Sequence, residues 1–335
     1  MTFGNRQFRL LMAGAMAVAV TLSIGPAGAR TINGDSRNNT LIGTKQADRI
    51  NALAGNDKVK ARGGPDRASG GGGNDRVEGE SGNDVLVLNA GNDTGLGGSG
   101  DDEVSGGSGD DFMDGGGDND RALNGGAGDD TVNGGTGSDR ISGGGGRDKS
   151  HGGDGNDHLN LGTENDLGWG DDGSDYVQGL TGDDRVWGGD GPDHVSGADG
   201  VDKVYGEAGN DQLDGGPGKD YLDGGDGDES CPGFKPLPFN CGGNGDGPGL
   251  TGDEGDDVII PGDGVDRVFG EEGDDTIWLD DDDAYDRIFC GASSRDEPGE
   301  GVVKYEDSRD PLDEFPGDHD AGCRILEDQG PPPRA

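Results

Sequence analysis

The sequence is poor in apolar side chains. Leu, Ile, Val and Phe are 56 of its 335 residues, about 17%. That is below the ~20% under which a strongly charged chain is expected to stay disordered. Aromatic residues make up only 5%, so a conventional globular domain with a thick core is excluded. Cations are scarce as well. Lys and Arg number 26 against 70 Asp and Glu, for a formal net charge of −44. Such a surface repels phosphate, which argues against nucleic acid as a partner. Cys and His number four each, and no H-E-x-x-H, G-x-S-x-G or C-x-x-C is present. The metalloprotease, serine-hydrolase and thiolate-metal signatures are therefore missing. What is abundant is glycine. With 76 Gly and 15 Pro, about 27% of the chain falls in the low-complexity range unless a period organises it. So acidic a chain needs a cationic partner, and the simplest is a divalent metal ion.

The first 29 residues differ from the rest. Arg6 and Arg9 precede an apolar run from Leu10 to Ile24, and Pro26 leads into Ala27-Gly28-Ala29, a small-x-small cleavage site. That order of charge, apolar stretch and small residues reads as a secretory signal peptide. A membrane anchor is the alternative, but spanning needs about 20 apolar residues. No twin-Arg pair and no lipid-acceptor Cys accompany the run, and no second apolar segment follows. The product is expected to be secreted to the extracellular space with no membrane span. Four Cys fit that oxidising compartment. Cys231 and Cys241 bracket a Pro/Phe-rich segment, and Cys290 and Cys323 bracket part of the C-terminal region. Pairs 231–241 and 290–323 are expected, although four Cys allow three connectivities.

Aspartate recurs with period nine. It stands at Asp48, Asp57, Asp66, Asp75, Asp84, Asp93, Asp102, Asp111 and Asp120. After one inserted residue it resumes at Asp130, Asp139, Asp148, Asp157, Asp166, Asp175, Asp184, Asp193, Asp202, Asp211 and Asp220, and it returns at Asp257, Asp266 and Asp275. Runs of this length come from a structural repeat, not from composition. Complete G-G-x-G-x-D units end at Asp75, Asp102, Asp111, Asp130, Asp139, Asp148, Asp157, Asp193 and Asp220. Two positions on, an apolar residue U is usual, as at Val59, Val77, Leu86, Val104, Ile141 and Val186. The unit G-G-x-G-x-D-x-U-x resembles the RTX family, the hemolysin-type calcium-binding repeat, over about residues 33–280.

The chemistry follows from the residue types. Gly adopts positive φ freely, so G-G-x-G makes a tight loop with its carbonyls turned inward. Asp adds a hard anionic oxygen, and carboxylates plus carbonyls suit Ca²⁺ at 6–8 coordination better than octahedral Mg²⁺. This reading splits the unit into a six-residue turn and a three-residue strand with U facing inward. The resemblance implies an all-β, right-handed parallel β-roll with two nonapeptides per coil. Asp residues 18 apart then stack in columns, and each Ca²⁺ bridges loops of successive coils. The metal set expected runs from Asp57 through Asp220 on the lattice above, with Asp257, Asp266 and Asp275. One inward U per repeat gives a thin core, so folding and calcium binding are expected to be one event.

The pattern has weak places. Gly95, Gly168, Ser150, Ala68 and Ala122 fill U slots poorly. The ten-residue repeat after Asp120 implies a bulge, with Leu123 taking the inward role. Residues 30–56 are read as an N-terminal cap with degenerate repeats and little metal. Residues 57–229 are the roll, 230–250 a disulfide-closed insertion, and 251–283 further repeats. Residues 284–329 are read as a disulfide-held C-terminal cap, with degenerate continuation of the roll as the alternative, and 330–335 as a disordered tail.

No catalytic residue is assigned. His151, His158, His194 and His319 are scattered, and acid pairs such as Asp101-Asp102 are explained by the loops. Trp169, Trp187 and Trp278 read as dispersed and so do not suggest a sugar platform. The third loop position carries no regular Thr rank, which argues against an ice-binding roll. The expected function is a secreted calcium-binding scaffold, structural or surface-interacting, without catalysis. The alternative is a carbohydrate-binding or polysaccharide-modifying module, with an extracellular polysaccharide or cell-surface partner. The sequence leaves the oligomeric state open.

Overall fold

The computed structural model describes residues 21–24, 29–226, 249–253, 255–262, 267–270, 273, 275–279, 287–289, 302–305 and 324–327. Among them are strands and turns and no helix, hence none that could cross a membrane. The chain divides into two compact units, Met1–Asp157 and His158–Ala335.

In the first unit, successive strands alternate between two sheets. One sheet runs Arg30–Asn33, Arg49–Ala54, Arg67–Gly72, Val85–Ala90, Glu103–Ser108, Ala122–Ala127 and Arg140–Gly145. The other runs Thr40–Ile42, Lys58–Gly63, Arg76–Ser81, Thr94–Ser99, Phe112–Gly117, Thr131–Thr136 and Lys149–Gly155. Neighbours are parallel, and partners stand 18 residues apart, as in Arg49 opposite Arg67 and Lys58 opposite Arg76, or 19 across the ten-residue repeat, as in Val104 opposite Leu123. Two nonapeptides therefore make one coil of a parallel β-solenoid. The ladder carries on through the turns, where the Arg67 N–H donates to the Asp48 carbonyl at 3.0 Å and the Gly64 N–H to Ser81 at 2.9 Å. At the start, Thr21–Ile24 runs antiparallel to Arg30–Asn33.

Most strands from Arg49 to Asp226 are six residues long, not three. The register continues past U through both glycines, so that Gly107 faces Asn89 and Ser108 faces Ala90. The cause is that glycine carries the same ladder N–H and C=O as any residue. The turn shrinks to G-x-D. Each strand now has two inward positions, U and the first Gly, and burial alternates accordingly along Glu103–Ser108. The second Gly has positive φ, 116° at Gly107, which frees the chain to turn out of the strand.

The core is a single file of U residues between the sheets. Ile50, Val77, Leu86, Leu123 and Val132 have no exposed surface. Leu123 lies opposite Val104 and takes the inward role after the ten-residue repeat, while Ala122 is exposed. The weak slots are compensated locally. At Gly95 the space is occupied by Leu88, whose Cδ1 lies 3.0 Å from where a Cβ would stand. Leu88 itself sits at a first-Gly position seven residues earlier. Leu161 does the same for Gly168, with Cδ1 at 2.8 Å.

The second unit is built alike. One sheet runs His158–Thr163, Tyr176–Thr181, His194–Asp199, Gln212–Asp214, Leu250–Thr251, Arg267–Phe269 and Arg287–Phe289. The other runs Leu167–Gly173, Arg185–Asp190, Lys203–Ala208, Tyr221–Asp226, Val258–Ile260, Thr276–Leu279, Val302–Tyr305 and Arg324–Glu327. Leu213 pairs with Leu250 and Tyr221 with Val258, 37 residues on in each case, so the roll re-enters in register after the insertion. All four Cys and both expected disulfides lie outside the described residues.

Beyond residue 284 the nonapeptide period is lost, yet the ladder is not. Ile288 faces Val268, Val303 faces Ile277 and Ile325 faces Val303, all in parallel pairs. The described residues of the tail thus extend the two sheets, and the disulfide expected to hold a cap there lies outside the described residues. An open sheet edge offers unpaired N–H and C=O groups to any strand-forming segment, periodic or not.

Candidate metal centre

Each described lattice Asp closes a turn, most often G-x-D, and its side chain is buried. Asp57, Asp66, Asp84, Asp120, Asp130, Asp139, Asp184 and Asp202 are each 1% exposed, and Asp102 is 0%. One carboxylate oxygen has a fixed partner. The Asp57 N–H donates to Asp75 Oδ1 at 2.7 Å, Asp75 to Asp93 at 2.7 Å, and Asp93 to Asp111 at 2.8 Å. A second column links Asp48, Asp66, Asp84, Asp102 and Asp120 in the same way. At the long repeat the step becomes 19 residues, from Asp111 to Asp130 and from Asp120 to Asp139, and both columns continue. In the second unit Asp184, Asp202, Asp220, Asp257 and Asp275 form one column, and Asp193 and Asp211 belong to another.

The other oxygen is different. Oδ2 is buried without a hydrogen-bond partner in Asp57, Asp66, Asp75, Asp84, Asp93, Asp102, Asp111, Asp120, Asp130 and Asp139. The same holds for Asp184, Asp193, Asp202, Asp211, Asp220 and Asp257. A buried oxygen of this kind costs about 1–3 kcal/mol, and more for a charged group. The oxygen is crowded against the first Gly of its own repeat. A Cβ on Gly188 would stand 2.5 Å from Asp193 Oδ2 and 2.8 Å from the Gly206 carbonyl oxygen. On Gly70 it would stand 2.5 Å from Asp75 Oδ2 and 2.9 Å from the Leu88 carbonyl. Where the first position is Gly, carboxylate and carbonyl oxygens converge on the space a Cβ would take.

Burial dominates the electrostatics. It pushes Asp193 up to about 8, and Asp66, Asp102, Asp120, Asp130, Asp202, Asp211 and Asp257 up to about 7. Asp75, Asp84, Asp93, Asp184 and Asp220 reach about 6. The N–H received from the preceding coil opposes the rise, and in most of these sites column neighbours add to it, as Asp211 and Asp175 do at Asp193. The donor set is wholly oxygen. Among the described residues no group of three or more His, Cys, Asp or Glu comes together. An ion held here would take one carboxylate per loop and complete its shell from carbonyls, which fits a hard cation of high coordination number.

The first coils depart from this arrangement. Asp48 Oδ2 accepts from the Thr44 N–H at 2.6 Å and from its hydroxyl at 2.9 Å. Asn39 occupies the next slot back, and its Oδ1 accepts the Asp35 N–H at 2.8 Å. Among the sites expected from sequence, Asp148, Asp157, Asp166, Asp175 and Asp275 are buried too, and Asp266 lies outside the described residues. One contribution was missed in the spacing. The residue before each lattice Asp is often Asn or Asp because it carries a ladder of its own. Asn56, Asn74 and Asn92 donate their N–H to Asn38, Asn56 and Asn74 Oδ1 at 3.0, 3.0 and 3.2 Å.

The tryptophans are not dispersed. Trp169 faces Trp187 and Trp187 faces Tyr205, because 18 residues separate each pair. Tyr205 faces Asp223, Asp223 faces Ile260, and Ile259 faces Ile277, which puts Trp278 in the same column. The rings of Trp169 and Trp187 stack at 4.8 Å, and those of Trp187 and Tyr205 at 5.3 Å. On the other sheet His158, Tyr176 and His194 stack at 4.7 Å per step.

Comparison with known proteins agrees with this geometry. The sequence profile described as RTX calcium-binding nonapeptide repeat (4 copies) matches residues 33–67, 61–95, 87–122, 124–159, 134–168, 169–204, 196–228 and 250–283. No curated protein matches the chain. Among solved structures, one similar chain is a hyperactive, Ca²⁺-dependent, beta-helical antifreeze protein from an Antarctic bacterium, seen by X-ray crystallography. Its identity is 18%, its TM-score 0.32, and the match covers 89% of this chain and 96% of that one. The profile takes in well over half of the sequence, and the chain belongs to the RTX calcium-binding nonapeptide repeat family.

Proposed function

We propose that this chain is an exported calcium-folded scaffold without catalysis, loaded at Asp57 through Asp220 on the lattice and at Asp257, Asp266 and Asp275. The observation that carries the reading is the file of buried Oδ2 atoms lacking a partner, many of them close to a carbonyl oxygen of the next coil, as at Gly70 and Gly188. Calcium supplies each such oxygen with the counter-charge it lacks. Asp48 stands outside the set because Thr44 already satisfies it. The leader in residues 1–29 would deliver the chain to a calcium-rich exterior, where folding follows export.

The polysaccharide reading draws support from the single Trp column. It is weakened by how the rings are used. A sugar stacks on an aromatic face, and here Trp187 has Trp169 on one face and Tyr205 on the other. The scaffold reading is kept.

The test is far-UV circular dichroism of residues 30–335 during a Ca²⁺ titration, with Mg²⁺ as control. A coil in chelator that turns cooperatively to β with Ca²⁺ alone is expected. A coil that calcium does not move would end the calcium reading, and β structure already complete in chelator would remove calcium as the folding agent.

A further inference from the structure

The charge is unevenly distributed along the roll. Residues 43–67 hold Lys45, Arg49, Lys58, Lys60, Arg62 and Arg67, against only Asp48, Asp57 and Asp66. Those three acids are 5%, 1% and 1% exposed, whereas all six cations are exposed. In a chain with formal charge −44, every exposed charge of this stretch is a cation; Lys60 pairs with Glu78 and Glu80 of the neighbouring strand, which leaves the Arg49–Arg67 side. Arg49 stands directly opposite Arg67 on neighbouring parallel strands. Lys45 lies in the turn beneath, its Cα 3.8 Å from the Cβ position of Gly63. Among the described residues, Lys45, Arg49 and Arg67 form no ion pair. Like charges directly opposite one another are destabilising, so the row is unfavourable in the isolated chain.

The second unit carries the opposite row. Asp172 stands directly opposite Asp190. Both are exposed, and neither forms an ion pair among the described residues. Beside them, burial and then Asp190 and Asp171 push the Glu207 carboxyl upward. Each row is one coil step long, and strand spacing fixes that step at about 4.8 Å in both. A partner that offers anions at the same step is a second copy of this chain.

We infer that the calcium-loaded chain associates with a second copy, the Arg49–Arg67 row of one against the Asp172–Asp190 row of the other. The inference rests on the calcium reading, because metal in the loops removes most of the repulsion that would keep two such acidic chains apart. Docking the rows relieves both like-charge pairs at once. The association is electrostatic, so salt weakens it.

Sedimentation velocity of the calcium-loaded chain tests this. Wild type is expected to associate at low ionic strength and to dissociate in 0.5 M NaCl, a concentration at which the screening length is roughly 4 Å. Arg49→Glu with Arg67→Glu, or Asp172→Lys with Asp190→Lys, is expected to weaken association by about tenfold or more. Mixing the two reversed chains is expected to restore it. A wild type that stays monomeric at low salt overturns the proposal, as does association that survives both reversals. Circular dichroism of the same samples separates the two readings. The calcium reading fails on the fold, and this one fails on sedimentation with the fold intact.

Discussion

A lattice aspartate does two jobs with its two oxygens. Oδ1 takes the N–H of the aspartate one coil earlier, so each carboxylate sets the register of its neighbour. Oδ2 lacks a protein partner at the sites named above and is the atom proposed to take the metal. Asp102→Asn keeps an oxygen for the first job and removes the charge needed for the second. Metal analysis after dialysis is expected to find about one calcium fewer per chain at a hard-cation site lost this way. Asp48→Asn is expected to leave the count unchanged, since Thr44 serves its Oδ2. Equal losses in both variants would contradict the division drawn between them. The second-Gly position adds a separate prediction. Arg62 holds φ of 87° and Leu53 holds 84°, a conformation that costs a non-Gly residue on the order of 1 kcal/mol. Leu53→Gly is expected to raise the calcium-loaded melting temperature; a lower one would show that the side chain contributes more than the strain costs.

At the level of the strand, the two inward positions share one volume. Leu88 at a first-Gly slot and Gly95 at a U slot are a matched exchange, and Leu161 with Gly168 repeats it. Leu88→Ala is expected to cost about 2–5 kcal/mol in thermal unfolding, as for a fully buried leucine. Gly168→Val alone would collide with Leu161, and Leu161→Gly alone would leave a void. Made together they restore the ordinary pattern, and the double variant is expected to be more stable than either single one. Additive losses would mean that the two sites do not share space. The nonapeptide period was enough to place the inward U, while the 18-residue register and the columns followed from the family resemblance. Strand length was not legible, because paired glycines read as turn by propensity although their backbone groups pair like any others. The Trp column was present in the numbering, at 169 and 187, but appears only when the 18-residue coil is applied to every residue type. Thr44 as the reason Asp48 differs has no sequence signal apart from its place four residues earlier.

For the whole molecule, the columns make stability depend on pH in an unusual direction. An ordinary aspartate near 3.8 is pushed to about 6 at Asp84, about 7 at Asp102 and about 8 at Asp193, with burial as the leading cause. Each raised group favours the fold fully below its unfolded value. That contribution is lost as pH rises through the folded value. The metal-free roll should therefore be most stable near pH 4 and should lose stability up to about pH 8, as buried carboxylates are forced to ionise. Calcium reverses the slope, since protons compete for the same Oδ2 atoms and metal affinity grows as they leave. Circular dichroism in chelator is expected to show β structure gained on acidification from pH 8 to 4. The calcium midpoint is expected to move to higher concentration as pH falls from 8 to 6. A midpoint unchanged over that range would mean that the lattice aspartates are already ionised in the metal-free chain.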